Sequence, residues 1–366
     1  MKPSRGFTLV ELMVGMAIGL LVALTAATAM ITFDTTQRRD VGEDAALENS
    51  AIFLFSVAHE VKNSGISPVD FNNALVCTQF NFSSTDGTLL DAAPVYPVQI
   101  TDGGASGSDQ INVAYMKSIL GKSSTRLIGD MTSPAADLAV ASSAGFSTGD
   151  LVVVGVTGGG SPCTFMQVSS IGAVGLNANF KHAAGSTMPY NPADPAATFT
   201  NAPSYPAGSL VFGSGGFAYV SYQVGANGLH MLDNLTTPSN ANMINEDVVF
   251  MKAQYGISTG SGQPLQWVSA GTAPWNALNS ALAAEIKAIH VGIVARNSQF
   301  IQPATHGGSC DATVNTGAGS PGKPYLWSGG PTVDLSAALA AGNSSWGCYK
   351  YRTYDLVMPL KNVLFQ

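Results

Sequence analysis

The sequence predicts an α+β fold: one long N-terminal helix, apolar in its first half and amphipathic in its second, packed on a large antiparallel β-rich head. Three observations predict it. From Phe7 to Phe33 the only ionisable side chain is Glu11, and from there to Asn63 apolar residues recur at three- and four-residue steps. Beyond Gly65 that spacing gives way to alternation and to β-branched runs. The expected organisation is a leader (residues 1–6), a transmembrane half-helix (7–33), an amphipathic half-helix (34–65) and a globular head (66–366).

At about 1.5 Å per residue, a helix over residues 7–33 is about 39 Å long, enough to cross a ~30 Å hydrocarbon core with tilt. Lys2 and Arg5 precede it and predict a cytoplasmic N-terminus, with everything after Phe33 outside. The small residue Gly6 lies before the apolar run, whereas an ordinary secretory signal is cut after that run. Cleavage at Gly6 therefore leaves the helix on the mature protein. Glu11 is a charge near the start of this apolar helix, costly enough to imply a partner. Gly15 and Gly19 form a small-xxx-small pair, the spacing of close helix packing.

From Asp34 the helix is expected to continue. Val41, Leu47, Ala51, Leu54, Ala58 and Val61 make a stripe with one gap at Asp44, and Arg38, Arg39, Glu43, Glu48 and Lys62 mostly fall between them. That stripe should pack under the head. Asn63-Ser64-Gly65 followed by Pro68 is a C-terminal stop, so a single helix is predicted from Phe7 to Asn63.

Strands are predicted at Ile111 to Tyr115, Leu151 to Val154, Phe217 to Val224, Val248 to Ile257, Lys287 to Ala295 and Lys350 to Met358. Asn227-Gly228 signals a hairpin into Leu229 to Leu232. Two long irregular stretches, Asn177 to Gly208 and Pro303 to Gly347, separate these strands. With no repeat, charge run or clear linker, one head of two antiparallel sheets is the economical expectation.

Charged residues are 11% of the 366, below the ~25% usual for soluble domains, which suits an exported, loop-rich protein. A net charge of −7 without a basic cluster argues against a nucleic-acid partner, because phosphate neutralisation needs concentrated Lys and Arg. The four cysteines are widely spaced, without a Cys-x-x-Cys pair or a histidine at metal-ligand spacing, and outside the cytoplasm they predict disulfides. Three pairings are open. Proximity favours Cys310 with Cys348, which bracket a Gly/Ser-rich stretch with little apolar material. Cys77 and Cys163 pair by default, unless Cys77 stays free.

Catalytic motifs fail on context, and no enzyme and no cofactor are expected. Gly145-Phe-Ser147-Thr-Gly149 fits a nucleophile elbow, but a strand rather than a helix follows it. Gly121-Lys122-Ser123 lacks the first glycine of a phosphate loop, that position being Met116. His59-Glu60 has no second histidine at zincin spacing, and His182, His230, His290 and His306 have no acidic or thiol neighbours at suggestive spacing. His290 alternates with apolar residues and reads as a strand surface residue. Asp102 and Asp109 flank a Gly/Ser-rich turn able to hold calcium, but without EF-hand spacing a solvated loop is the simpler expectation.

Gly6-Phe-Thr-Leu-Val-Glu11 running into an apolar helix resembles the class III leader of type IV pilins and type II secretion pseudopilins. The motif is short but specific, because glycine, aromatic, glutamate and apolar helix must occur in register. The resemblance implies that a prepilin peptidase cuts between Gly6 and Phe7 and N-methylates Phe7, and that Glu11 pairs with a neighbouring subunit's terminal ammonium. Leu47-Glu-Asn-Ser-Ala, His59 to Gly65, Gly149-Asp150 to Val154 before Cys163, and Val248 to Ile257 look like PilW-type minor pilins. Met358-Pro-Leu-Lys-Asn362 is similar to the closing strand of PilW-like proteins and J-type pseudopilins.

The fold thus implied is type IV pilin-like. The function implied is a minor pilin that helps initiate pilus assembly and build its tip, with other minor pilins, the major pilin and a tip adhesin as partners. The protein would sit in the inner membrane before assembly, head in the periplasm, and then in the extracellular pilus. A type II secretion pseudopilin of the J-like kind and a ligand-binding adhesin are the alternatives.

Overall fold

The computed structural model describes residues 8–64, 77, 79–117, 124–156, 160–174, 177–185, 187–236, 241–260, 263–302, 308–310, 312–339 and 345–360. Helix α1 runs Leu9–Asn63. Ser64 ends it: its backbone N–H donates to the carbonyls of Glu60 and Val61, and its hydroxyl donates to Val61 at 2.6 Å. Gly65 and Pro68, expected to form the stop, lie outside the described residues.

The head follows as β1 (Gln79–Ser83), β2 (Leu89–Pro94), β3 (Val98–Thr101), β4 (Gln110–Met116), β5 (Ser124–Arg126), β6 (Leu138–Val140), β7 (Leu151–Gly155), β8 (Cys163–Gln167), β9 (Ser170–Val174) and β10 (Asn177–Lys181). A short α2 (Pro195–Thr198) precedes β11 (Leu210–Gly213), β12 (Phe217–Gly225), β13 (Gly228–Asp233), β14 (Ala241–Asn245), β15 (Val248–Ile257) and β16 (Gln266–Ser269). The chain closes with α3 (Ser280–Glu285), β17 (Ile286–Arg296), α4 (Leu335–Leu339) and β18 (Tyr351–Pro359).

These strands form four sheets, not two. Their orders are β14-β13-β12-β4-β3, β16-β15-β17-β18, β2-β1-β8-β7-β11-β5 and β6-β10-β9. Among the described residues every pairing is antiparallel except β1 with β8, where Phe80 and Asn81 lie beside Cys163 and Thr164. The predicted hairpin is present: Gly225 pairs with Gly228 across Ala226-Asn227, and Gly228 takes φ 117°, a left-handed value that glycine tolerates.

The layers explain the sequence patterns. The second half of α1 packs Phe53, Leu54, Val57 and Val61 onto the five- and four-stranded sheets, against Ile111, Tyr222, Tyr255 and Ile289 among others. Farther along, Ala114, Met116 and Phe217 meet Phe80, Phe165 and Val153 of the six-stranded sheet, with Phe165 and Phe217 ring centroids 4.7 Å apart. The opposite face of that sheet, with Val152, Val154 and Val211, is covered by Leu138, Val140 and Phe180. Leu151 to Val154 is a continuous apolar run rather than an alternating one because both faces of β7 are buried.

Three expectations are corrected. The predicted stripe of α1 is met at Leu54, Ala58 and Val61, which pack on the head, but not nearer the N-terminus: Val41, Leu47 and Ala51 are exposed, and Gly42, Ala46 and Ser50 face the head instead. Small residues let the helix lie close, and a Cβ at Gly42 would collide with the Asn297 side chain. The stretch from Asn177 to Gly208 is not all irregular, since β10 and α2 lie within it. The stretch from Pro303 to Gly347 supplies buried apolar groups of its own. Leu326, Val333 and Leu335 cover Phe250 and Val294 on the outer face of the four-stranded sheet.

Candidate functional site

Gly6 and Phe7, the expected processing pair, lie outside the described residues, which begin at Thr8. Thr8 is the N-cap of α1, and its hydroxyl accepts from the Glu11 backbone N–H at 3.3 Å. Glu11 reaches back: its Oε2 accepts from the Thr8 backbone N–H at 3.0 Å and from the Thr8 hydroxyl at 2.9 Å. This is a capping box, which satisfies N–H groups that no helical turn can reach and sets a carboxylate at the positive end of the helix. Among the described residues nothing donates to Oε1 of Glu11. The carboxylate therefore keeps an acceptor for a further cation.

The apolar half of α1 touches nothing of its own head. Leu9, Leu20 and Phe33 are 76%, 72% and 70% exposed, and open space surrounds Gly15 and Gly19. Among the described residues α1 is the one helix long and apolar enough to cross a membrane. Its hydroxyls are satisfied internally: Thr25, Thr28, Thr32 and Thr36 donate to carbonyls three or four residues back, at 2.8–2.9 Å. A surface so arranged suits lipid or other apolar helices.

Polar clasps fix the helix to the head. Glu60 is half-buried and accepts from Tyr222 at 2.6 Å, and Tyr115 also bonds to it. Burial pushes the Glu60 carboxyl above its usual range, while the two phenols pull against that shift. The Tyr115 hydroxyl is pushed up to about 12 by burial and the neighbouring carboxylate. Higher on the helix, Glu43 pairs with Arg352 at 3.2 Å and with Lys350 at 3.8 Å, and Asn49 donates to Asp247 at 3.1 Å.

All four cysteines are bridged, Cys77 to Cys163 and Cys310 to Cys348. The parallel β1–β8 pairing carries the chain after Cys77 alongside Cys163. The second bridge closes the stretch that covers the four-stranded sheet, and the Ile301 backbone N–H donates to the Cys348 carbonyl at 2.8 Å.

The turn between Asp102 and Asp109 is solvent-exposed over residues 102–106, as expected, but Asp109 itself is not a loop-surface residue. Asp109 is buried, and Lys252 donates to it at 2.5 Å, to Asp102 at 2.9 Å and to the Gly104 carbonyl at 2.7 Å. The backbone N–H groups of Gly103 and Ala253 complete the shell of Asp109 at 2.9 Å each. The ammonium thus sits between the two carboxylates where calcium was considered. Its hydrogen bond holds Asp102 below the usual carboxylate range, whereas burial raises Asp109 against the same ammonium. Among the described residues no group of three His, Cys, Asp or Glu side chains is placed to hold a metal.

His290 is not a surface residue. It is 9% exposed, lies 2.7 Å from Asp355 and is flanked by the rings of Trp327 and Trp267, with centroids at 4.3 and 5.3 Å. Trp327 comes from the covering stretch and rests on Gly292, where a Cβ would come within 2.7 Å of the indole. The Ser147 segment leads into β7, with its backbone N–H donating to Asp150 at 2.8 Å, a turn rather than an elbow. Gly121, Lys122, Ser123 and His306 lie outside the described residues. Glu60, Lys252 and Trp327 were missed by sequence reasoning, because the partners of the first two lie 162 and 143 residues away and no local pattern marks them.

Comparison with known proteins agrees with the helix. Residues 1–27 match the prokaryotic N-terminal methylation motif. A fimbrial protein of Pseudomonas aeruginosa is 33% identical over 126 residues, which are 34% of this chain and 73% of that protein. A second fimbrial protein from the same organism is 35% identical over 104 residues, 28% of this chain and 62% of that one. No solved structure matches. With a methylation motif at the N-terminus, an exposed apolar helix behind a capping glutamate, and a β-rich head clasped to the helix's second half, the chain belongs to the type IV pilin superfamily.

Proposed function

We propose that this pilin is a minor subunit placed at or near the pilus tip, where it helps start assembly and joins other minor pilins, the major pilin and a tip adhesin. The observation that carries this is the size of the head. The same 126 residues are 34% of this chain and 73% of its fimbrial relative, so this chain is about twice as long. A head of about 300 residues has a radius of gyration of roughly 19 Å, while packed helices lie about 8–10 Å apart. Repeating so wide a head along a shaft is crowded, and an end position relieves the crowding.

In this reading prepilin peptidase cuts between Gly6 and Phe7, residues 7–33 hold the subunit in the inner membrane and later in the filament core, and residues 66–366 stay in the periplasm until export. Glu11 Oε1 then accepts the terminal ammonium of a neighbour while Oε2 keeps the Thr8 cap. Quantitative mass spectrometry of sheared filaments, with immunogold labelling of the head, tests the placement. A few copies confined to filament ends are expected; stoichiometry equal to the major subunit along the shaft would refute it. Loss of protein secretion with intact pili in a deletion strain would favour a secretion pseudopilin instead.

A further inference from the structure

A cavity of about 400 Å³ opens where separate parts of the head converge: the turn between β3 and β4 with Ser106 and Ser108, the β12–β13 hairpin, Phe250 of β15, Arg296 at the end of β17, and Leu339 of α4. That volume lies in the range of small-molecule sites, ~300–1,000 Å³. Arg296 carries the one formal charge among the described lining residues. Its guanidinium lies 4.8 Å from the Tyr349 ring centroid, yet its Nε is buried with no hydrogen-bond partner. Among the described residues Arg296 forms no ion pair.

Arg296 lines this cavity together with the Ser106 and Ser108 hydroxyls, Phe250 and Leu339, and a guanidinium with no ion pair among the described residues favours an anionic acceptor there. The Ser108 hydroxyl already accepts from the Met251 backbone N–H at 3.2 Å, so its own proton is left to donate. The acceptor that fits is anionic, planar and singly charged. A guanidinium fork takes a carboxylate through two parallel bonds, whereas a phosphate dianion would need a second cation that the described walls lack.

We propose that this cavity binds a compact monocarboxylate, its carboxylate on Arg296 and its apolar body against Phe250 and Leu339. The full-length chain, purified in detergent, is titrated calorimetrically at pH 7 with phenylacetate, and in parallel with neutral phenethyl alcohol and with inorganic phosphate. Saturable phenylacetate binding, at least about tenfold tighter than either comparison, is expected. Arg296→Met keeps an aliphatic stem over Tyr349 and should weaken binding by at least about tenfold. Ser106→Trp, at an exposed position on the mouth, keeps Arg296 and the fold but blocks access, and should abolish binding. Absence of saturable phenylacetate binding, equal binding of the alcohol or of phosphate, or unchanged binding in either folded variant overturns the proposal.

Discussion

A carboxylate at the start of an apolar helix has two possible partners, its own helix end and a cation from elsewhere, and under the proposed function Glu11 serves both. Oε2 caps the helix through Thr8, and Oε1 receives nothing from the described residues. Two substitutions separate these roles. Glu11→Gln keeps a side chain that completes a capping box but loses the charge, whereas Glu11→Ala loses both. If the charge drives assembly, both variants should be processed normally and enter filaments roughly tenfold or more below wild type, since each leaves a partner ammonium unpaired in an apolar bundle. Immunoblots of sheared filaments against the membrane fraction measure this. Normal incorporation of Glu11→Gln would restrict Glu11 to capping. Processing is tested one bond upstream: Gly6→Leu should leave a membrane-retained precursor, and intact mass spectrometry showing a mature chain that starts at Phe7 would remove Gly6 from recognition.

At the level of elements, the helix–sheet contact turns on Glu60. Burial raises its carboxyl above the ordinary value of 4.5 in the folded state, so the folded protein holds that proton more tightly than the unfolded chain. The stability this contributes is fully present below pH 4.5 and is lost as pH rises through the raised folded value. Glu60→Gln keeps an acceptor for Tyr222 and cannot titrate; relative to it, wild type should lose stability across that window and run parallel above it. Urea melts of both proteins between pH 4 and 8 give the difference, and curves parallel throughout would show that Glu60 titrates as if exposed. Phe53 packs edge-on against Tyr222 at 6.0 Å in the same contact, and Phe53→Ala should cost about 3–5 kcal/mol in the same melts. The sequence shows the long elements: β12, β15, β17 and α1 stand out by their length and apolar content. It does not show β8, where Cys163 to Gln167 is buried on both faces and alternates in nothing, or β10, with two buried side chains in five. Hydrophobic spacing finds the buried face of α1 at Leu54, Ala58 and Val61 but misses it farther up, because Gly42 and Ser50 are buried for being small.

Across the whole molecule the head is a stack of sheets whose outermost layer on one side is not a sheet at all. The stretch bracketed by Cys310 and Cys348 lies over β15 and β17, lays Leu326, Val333 and Leu335 on Phe250 and Val294, and sets Trp327 on His290. Gly/Ser-rich composition hides this, since few apolar residues do the covering and their targets, Gly292 and His290, look unremarkable in sequence. A bridge spanning 38 residues, a small apolar cluster and the Trp327 contact hold the layer. On the chain-entropy account such a bridge is worth about 4 kcal/mol. The cluster and the Trp327 contact are too small to keep so many loop residues ordered against their conformational entropy, roughly 1–2 kcal/mol for each backbone unit fixed. The double variant Cys310→Ser, Cys348→Ser should therefore release this layer before the rest unfolds. Limited proteolysis should cut first within residues 308–347, while the six-stranded sheet, tied by Cys77 to Cys163, keeps its protection. The indole of Trp327 should become accessible to quenchers at the same time. A variant as resistant as wild type within 308–347 would mean that the apolar cluster and the Trp327 contact hold the layer in place without the bridge.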